Sequence, residues 1–468
     1  MLKIYNTLSK KKEEFKPIVK DKVGFYHCGP TVYWVQHIGN MRAMVLADLA
    51  LRSFHYLGYD VTMVRNYTDV GHLTSDSDEG EDKMEKTAKK EKKNPSEVAE
   101  KYIKIFDDDV LDLNIISPNV KPKATDHISD MIKMAENLLE QDYAYATDLA
   151  IYFDISKFED YTKLSKQDLS KNISKAGKGS VEDKDKKNSA DFALWFFKAG
   201  AHKNALQTWP SPFESPLVSD GEGFPGWHIE CSVMSQKYLG STLDLHMGGI
   251  EHVPVHHTNE IAQSEATTGK KFVNYWMHNE HLTVDGGKMS KSEGTAYSVK
   301  DIKEKGYDPL VLRYFFLGAH YRSKQNFTWE AVDSAKVALS NLRERVLELS
   351  GDKGELNEKY EKEFIAVIED DFNIPQALAI VWDVIKSDLS DGDKLATILD
   401  FDRVLGLNLD KIKTEKIPTK IKKLADKREE ARKNKDFKES DKLRAEIKKG
   451  GYIVEDTESG YKIKKSII

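Results

Sequence analysis

Residues 23–67 read VGFYHCGPTVYWVQHIGNMRAMVLADLALRSFHYLGYDVTMVRNY. The stretch opens with a mainly apolar run over 23–28, typical of a buried strand, and a second such run follows over 61–67. Between them, residues 41–57 place apolar side chains at helical spacing, and Gly58 is the residue type expected just beyond a helix end. Strand, helix and strand in close succession predict a right-handed βαβ unit with two parallel strands.

The same alternation of strands and helices returns after Pro225, which predicts one α/β sheet interrupted by an insertion. Within the insertion, residues 143–155 alternate like a strand or a hairpin, and residues 163–190 form a polar, lysine- and serine-rich excursion. The later patterns are helical at 227–238 and 255–268 and strand-like at 243–247 and 272–278.

The predicted fold class is therefore α/β, with a Rossmann-type parallel sheet split by an insertion, then an α-helical bundle and a small C-terminal module. The two halves of the sheet domain are predicted at 1–115 and 223–308, the insertion at 116–222, the bundle at 309–410 and the module at 411–468.

Composition indicates a globular, intracellular protein. The chain has 468 residues, of which 40% are hydrophobic and 32% charged, so it is long enough for several cores. We find no signal-peptide core and no apolar run of membrane-spanning length, and we expect a cytoplasmic location without membrane attachment. Residues 411–450 carry 16 Lys and Arg against 8 Asp and Glu. That excess fits either a nucleic-acid contact or a solvated, salt-bridged helix pair.

The chain has two cysteines, Cys28 and Cys231. A disulfide between them is disfavoured in a reducing compartment. Two other interpretations stay open from the residues alone: both thiols are buried, inert and apolar, or both bind a metal ion.

Two motifs suggest nucleotide chemistry. His37-Ile38-Gly39-Asn40 lies between the first strand and its helix, where backbone N–H groups attract an anion and Gly39 admits a ligand close to the backbone. Lys288 and Lys291 lie three apart on a glycine-flanked loop, where two cations can clamp a polyphosphate. Either motif alone is also compatible with an ordinary capped helix and a solvated loop.

A third motif suggests a metal. His256 and Glu260 are four residues apart and share one helix face. With Cys231 in the preceding helix and Cys28 at the end of the first strand, they supply a donor set that favours zinc. The alternative is that His256 caps its helix and Glu260 is solvated.

Together these motifs resemble cysteinyl-tRNA synthetases, a family of class I aminoacyl-tRNA synthetases, over nearly the whole chain. Asn40 departs from the family pattern, because a histidine is expected there. The segments that carry the resemblance are CGPTVY (28–33), HIGN (37–40), GWHIECS (226–232), HHTNEIAQSE (256–265), NYWMH (274–278), KMSKS (288–292), DDFNIPQALA (370–379) and KREEARKNKDFKESDKLRAEI (427–447).

The resemblance implies a fold and a site. It implies a catalytic domain with the split sheet, an anticodon-binding bundle, and one zinc ion held by Cys28, Cys231, His256 and Glu260. His257 is the rival ligand to His256. The catalytic residues implied are His37, Asn40, Lys288 and Lys291. The ATP-binding residues implied are His37, Gly39, Asn40, His246, Gly248, Glu251 and Lys291, with Mg²⁺ accompanying ATP. The substrate-cysteine pocket implied is formed by Gly29, Thr68 and Trp227.

The resemblance also implies partners. They are ATP, L-cysteine and tRNA(Cys), with Arg428, Arg432 and Arg444 as candidate tRNA contacts, and we expect a monomer. Two rivals remain at this stage: a zinc-dependent ligase that joins cysteine to an amino sugar, and a zinc-stabilised RNA-binding protein without catalysis.

Overall fold

The computed structural model describes residues 1–71, 83–168, 183–290, 294–349, 354–412, 417–457 and 460–465. They belong to two compact units. The first consists of Met1–Lys336 with Leu349–Asn408, and the second of Val337–Glu348 with Leu409–Ile468.

The described residues of the two units form fourteen strands and fourteen α-helices. The strands are β1 (Lys3–Asn6), β2 (Lys11–Glu14), β3 (Lys22–His27), β4 (Asp60–Arg65), β5 (Ala144–Ala146), β6 (Ala150–Phe153), β7 (Phe192–Phe197), β8 (Gly223–Pro225), β9 (Leu243–Gly249), β10 (Val273–Asn279), β11 (Leu282–Val284), β12 (Gln325–Phe327), β13 (Tyr452–Thr457) and β14 (Gly460–Lys465). The helices are α1 (Ile38–Tyr56), α2 (Lys83–Glu91), α3 (Pro95–Asp112), α4 (Ile128–Glu140), α5 (Trp227–Leu239), α6 (His256–Thr268), α7 (Val299–Glu304), α8 (Pro309–Leu317), α9 (Trp329–Glu348), α10 (Glu358–Ile368), α11 (Ile374–Lys386), α12 (Asp391–Leu405), α13 (Thr419–Lys433) and α14 (Phe437–Lys449).

The central sheet is parallel and has the strand order β10-β9-β3-β4. Its register places Phe25 beside Met63 on one side and Leu245 on the other. Strand β3 is therefore an inner strand, and the chain between β4 and β9 is inserted between the two halves of the sheet. The predicted α/β class with a split parallel sheet is confirmed.

Helix α1 begins at Ile38, three residues before the predicted start at Met41. The cause is a cap that the apolar pattern does not reveal: Nδ1 of His37 accepts a hydrogen bond from the backbone N–H of Asn40 at 3.2 Å. The helix ends as predicted, because Gly58 adopts a φ of +89° just beyond it, a conformation that glycine tolerates best.

The inserted segment forms its own antiparallel sheet, in the order β5-β6-β7-β8. Of the two alternatives predicted at 143–155, a strand or a hairpin, the structure has the hairpin, formed by β5 and β6. Strand β7 has the sequence FALWFF and is buried at every position, so it lacks the alternation by which a half-exposed strand is recognised. Of the polar excursion at 163–190, residues 169–182 lie outside the described residues.

Helix α8, the start of α9 up to Lys336, and helices α10 to α12 continue the first unit after the sheet. Arg313 of α8 is fully buried, and its Nη2 donates to Oδ2 of Asp48 in α1 at 2.6 Å. The same guanidinium donates to the carbonyl oxygens of Leu405 and Leu113 at 2.7 and 3.0 Å. The side chain of Arg313 in α8 thus contacts both α1 and the end of α12.

The second unit has a small core of its own. Ile421, Ala425, Ile447 and Val454 pack together where α13 and α14 meet the β13–β14 hairpin. Across the described part of both units, none of the helices has the length and apolarity that a membrane crossing requires.

Candidate metal centre and active site

Three neighbouring elements bring the four predicted metal ligands together. Cys28 directly follows the inner strand β3, Cys231 lies in the first turns of α5, and His256 and Glu260 lie one turn apart at the start of α6. Each of these side chains is at least 95% buried. Because parallel strands end at one edge of the sheet, Cys28 meets the two helix starts there.

The four ligand atoms lie within 4.8 Å of one another. Sγ of Cys28 is 4.0 Å from Sγ of Cys231 and 3.9 Å from Oε1 of Glu260, and that oxygen is 3.1 Å from Nε2 of His256. Tetrahedral zinc with ordinary bond lengths needs ligand atoms about 3.2–3.8 Å apart. The three separations given above lie within a few tenths of an ångström of that range, so the four residues suit such an ion. Both cysteines are free rather than joined in a disulfide.

A second donor set shares two members with the first. Cys28, His246, His257 and Glu260 also bring one ligand atom each within 4.8 Å of the others. Nε2 of His257 is 3.3 Å from Sγ of Cys28, and Nε2 of His246 is 2.9 Å from Oε2 of Glu260. Both adjacent histidines, His256 and His257, are therefore placed where they could bind the same metal ion.

Each of the two rival histidines is oriented by a second histidine. The Nδ1 atoms of His256 and His228 are 3.0 Å apart, and the ring of Trp227 lies 4.3 Å from that of His256 between centroids. Nδ1 of His257 is 2.7 Å from Nε2 of His278. Such outer partners fix the ring and the tautomer of a metal ligand, and both imidazoles direct Nε2 towards Glu260 and the cysteines.

Electrostatics divide the centre into charged and neutral groups. Burial alone would raise the pKa of Glu260, but His246 and His256 outweigh it and lower the pKa to about 2. Burial lowers the pKa of His256, yet the charges of Glu260 and Cys231 raise it to about 10. The pKa of Cys231 falls to about 6, mainly because Cys28 donates a hydrogen bond to its sulfur.

The other two groups are neutral. Burial, followed by the neighbouring Cys231, raises the pKa of the Cys28 thiol well above its ordinary value. Burial and the surrounding histidines lower the pKa of His257 well below its ordinary value. Near neutral pH the thiol pair therefore carries one negative charge and one proton.

The predicted cysteine-pocket residues lie beside this centre. The N–H of Gly29 donates to Oδ1 of Asn66 at 2.8 Å, and a methyl group on Gly29 would overlap the Asn66 carbonyl oxygen, so glycine is required. The Thr68 hydroxyl accepts from Nδ2 of Asn66 at 3.2 Å and donates to Oε2 of Glu230 at 2.8 Å. Trp227 is half-buried against His256.

Asn66 and Glu230 were not predicted as site residues. Glu230 is fully buried, and its pKa is raised well above the ordinary value by burial and then by the neighbouring Cys231. The sequence offered an indication for each. Asn66 directly follows a buried strand, where site residues of parallel sheets lie. Glu230 directly precedes the candidate ligand Cys231 in the first turns of a buried helix.

The two nucleotide motifs touch each other. A methyl group on Gly39 would overlap the terminal methyl of Met289 and would lie 3.1 Å from the His37 ring. The glycine in the first motif therefore leaves the space that Met289 of the second motif fills. Lys288 is exposed at the same loop, whereas Lys291 lies outside the described residues.

The remaining predicted ATP-binding residues lie in two different environments. His246 is fully buried and paired with Glu260, and Gly248 lies beneath His257, whose Cε1 a methyl group would approach to 2.6 Å. Both therefore lie in the metal centre itself, not on an open nucleotide surface. Glu251 is exposed, with Oε2 3.7 Å from Nδ1 of His281.

The three arginines proposed to contact tRNA belong to the second unit. Arg428 is buried, and its guanidinium donates to both carboxylate oxygens of Asp456 at 2.8 and 3.2 Å. Arg432 pairs with the same carboxylate. Arg444 is exposed and has no ion-pair partner among the described residues. Arg428 and Arg432 thus hold β13 against α13, while Arg444 is presented to solvent.

Two known protein families match separate parts of the chain. A family of catalytic domains described as tRNA synthetases class I (C) matches residues 14–337, and the cysteinyl-tRNA ligase anticodon binding domain matches residues 414–462. The description "anticodon binding" thus applies to the C-terminal module, which carries the three arginines predicted to contact tRNA, and an anticodon-binding role for the bundle at 309–410 stays a prediction.

Full-length relatives and solved structures agree with these matches. The chain is 43% identical to a cysteine–tRNA ligase of Treponema denticola, with 97% of this chain and 98% of the relative covered, and 42% identical to cysteine–tRNA ligase 1 of Burkholderia lata, with 99% and 96% covered. Mycobacterium tuberculosis methionyl-tRNA synthetase with methionyl-adenylate superposes with a TM-score of 0.55 at 15% identity, covering 82% of this chain and 90% of the other. The Agrobacterium radiobacter LeuRS ternary complex gives 0.57 at 11% identity, covering 85% of both chains. At such low identities these structures support the fold alone.

Proposed function

The chain belongs to the cysteine–tRNA ligase family of class I aminoacyl-tRNA synthetases, which are ATP-dependent ligases, and we propose that it selects L-cysteine through a zinc ion held in its buried Cys–His–Glu centre. The observation that carries this proposal is the convergence of Cys28, Cys231, His256 and Glu260 at the carboxyl edge of the parallel sheet.

Selection by a metal answers a physical difficulty. Serine and cysteine differ by one atom, and a pocket that relies on size alone separates such substrates by roughly 1–3 kcal/mol. When bound, zinc supplies a soft Lewis acid that favours a thiol over a hydroxyl, because a thiol ionises on a metal far more readily. The four residues of this chain would hold that ion, because the Cys231 thiolate and the Glu260 carboxylate are already ionised there.

The rest of the cysteine pocket consists of rigid, hydrogen-bonded groups. Gly29 allows the Asn66 backbone to approach, and Asn66 and Glu230 fix the Thr68 hydroxyl between them. Trp227 closes one side against His256. We infer that these groups orient the amino and carboxylate groups of the substrate, since residues that are already ordered lose little entropy on binding.

We propose the two-step reaction of this family. A carboxylate oxygen of cysteine attacks the α-phosphorus of ATP, which forms cysteinyl-adenylate and expels pyrophosphate. The terminal ribose 2′-hydroxyl of tRNA(Cys) then takes the cysteinyl group and releases AMP. His37, Asn40 and the α1 N-terminus hold the phosphates of Mg²⁺-ATP, and Lys288 and Lys291 stabilise the charge on the departing pyrophosphate.

Two exposed groups, Glu251 in the first unit and Arg444 in the second, are assigned by their accessibility. Glu251 is available to a ribose hydroxyl at the carboxyl end of β9. Arg444 is the arginine proposed to contact the tRNA anticodon region, because Arg428 and Arg432 are engaged with Asp456. A monomer remains our prediction for the oligomeric state.

Cysteine-dependent exchange of pyrophosphate into ATP, followed by charging of tRNA(Cys), tests this function. We expect both activities. Exchange without charging would favour a ligase that transfers cysteine to another acceptor, and the absence of both would favour an RNA-binding protein.

Metal content measured on matched alanine variants tests the ligands. We expect His256→Ala to lose zinc and His257→Ala to retain most of it, and the reverse result would assign the ion to the second donor set. Cys28→Ser should lose both zinc and discrimination against serine.

A further inference from the structure

An exposed tryptophan lies on the loop that joins β3 to α1. Trp34 is 37% exposed, and its indole stacks on the ring of Tyr102 at a centroid distance of 6.2 Å and an interplanar angle of 28°. Tyr102 itself is buried, and its hydroxyl donates to Oε1 of Glu91 at 2.7 Å. Nε2 of Gln36 donates to the Trp34 carbonyl oxygen at 3.3 Å. The indole is therefore held in place while part of it faces solvent.

Lysines surround this aromatic surface. Nζ of Lys90 lies 5.3 Å from the centroid of the Trp34 ring, and Nζ of Lys83 lies 6.0 Å from that of Tyr33. Residues 83–93, which form α2 and the turn after it, contain six lysines and two glutamates. We call the group Tyr33, Trp34, Lys83, Lys90 and Tyr102 the Trp34 platform.

The chemistry of the Trp34 platform matches single-stranded nucleic acid. Surfaces that bind single strands combine aromatic rings, on which bases stack, with cations that track the phosphates. A protein partner of opposite charge would satisfy the lysines, but it would not need an exposed indole braced from behind by a second ring. Lys90 has an exposed, flexible stem, so its ammonium can move from the ring to a phosphate when a base arrives.

The Trp34 platform is also close to the site of reaction. Trp34 precedes His37 by three residues, so their Cα atoms are at most about 11 Å apart. His37 caps α1, the helix proposed to hold ATP. A strand that crosses Trp34 therefore needs to extend only a short way to reach the adenylate.

We propose that Trp34 stacks a base of the single-stranded 3′ end of tRNA, with Lys90 and Lys83 contacting the adjoining phosphates. This inference rests on the proposed function, which supplies tRNA as a substrate. Trp34 is a tRNA-binding contact for the second half-reaction and has no part in the first.

Two kinetic assays on one variant separate these half-reactions. We expect Trp34→Ala to reduce kcat/KM for tRNA charging about tenfold, the loss typical of one base–aromatic stack. ATP–pyrophosphate exchange should keep its wild-type rate. Trp34→Phe should restore most of the charging. Tyr238→Ala, which removes another ring of similar exposure (38%) on α5, is the matched control and should charge normally.

Equilibrium binding identifies the part of the RNA involved and does not depend on catalysis. Trp34→Ala should weaken binding of full-length tRNA(Cys) but not of a transcript that lacks the single-stranded 3′ nucleotides. Unchanged charging, an equal loss in both assays, or equal weakening for both transcripts would each overturn the proposal. A wild-type protein with no exchange activity would instead overturn the proposed function, while the binding comparison would still decide the role of Trp34.

Discussion

Zinc binding to this chain should release about two protons per ion near pH 7.5. Without the ion, Glu260 is ionised, since its pKa is about 2, and His256 is protonated, since its pKa is about 10. The two thiols share one proton, because the pKa of Cys231 is about 6 and that of Cys28 is raised well above its ordinary value. A bound ion requires two thiolates, a carboxylate and a neutral imidazole. One proton must therefore leave the thiol pair and one must leave His256.

The pH dependence follows from this count. The logarithm of the zinc association constant should rise by about two per pH unit near pH 7.5, because the slope equals the number of protons released. Below about pH 6 the Cys231 thiolate is also protonated without the ion, so the slope should steepen towards about three. Acidification therefore weakens zinc binding more strongly in that range.

Calorimetry provides the measurement. Zinc is titrated into the apoprotein in two buffers of the same pH and different ionisation enthalpy, and the difference in heat gives the number of protons. His257→Ala, which keeps all four proposed ligands, should leave that number at about two. A wild-type count of one or fewer would refute the charge assignment and would favour the set containing His257, which is already neutral.

Gly39→Ala places a methyl group against Met289 and should reduce the rate of ATP–pyrophosphate exchange at least tenfold while leaving the melting temperature nearly unchanged; full activity would show that the two motifs need not touch. Burial and then Asp112 raise the pKa of Asp109 to about 7, so the wild type loses stability as pH rises from about 4 to 7. At pH 8 the free energy of unfolding of Asp109→Asn, measured with denaturant, should therefore exceed that of the wild type by about 2 kcal/mol. This difference should become smaller at pH 5, and a difference independent of pH would contradict the reasoning. Arg313→Met removes one of the two arginines paired with the buried Asp48 carboxylate and leaves Arg52. It should lower the free energy of unfolding, measured with denaturant, by about 3 kcal/mol. A decrease smaller than that of a surface arginine variant would be inconsistent with a buried ion pair.

The elements of the central sheet could be predicted because their periodicity is local. Strand β3 was expected at 23–28 and lies at Lys22–His27, and β9 was expected at 243–247 and extends to Gly249. The start of α1 was missed by three residues, because the His37 cap depends on a side-chain hydrogen bond that leaves no apolar pattern. The fully buried strand β7 was not predicted, although its apolar sequence FALWFF is a run of the same kind as residues 23–28.

The predicted metal ligands do converge, but their surroundings could not be derived from spacing. His246 was expected on the nucleotide side, and the structure places it against Glu260, because the register of β9 beside β3 turns that side chain towards α6. Arg428 was expected to contact RNA, yet it is buried against Asp456, a partner 28 residues away that the hairpin β13–β14 brings back to α13. Both differences come from tertiary pairing, which charge and spacing along the chain do not encode.

Cys28 and Glu260 are 232 residues apart in the chain, although their side chains share one centre. A ribosome synthesising this protein must therefore release more than half of the polypeptide before the last ligand becomes available. For the proposed zinc site, the complete donor set therefore exists only once residue 260 has been synthesised, and a pause in synthesis before that residue would lengthen the period in which Cys28 lacks its partners.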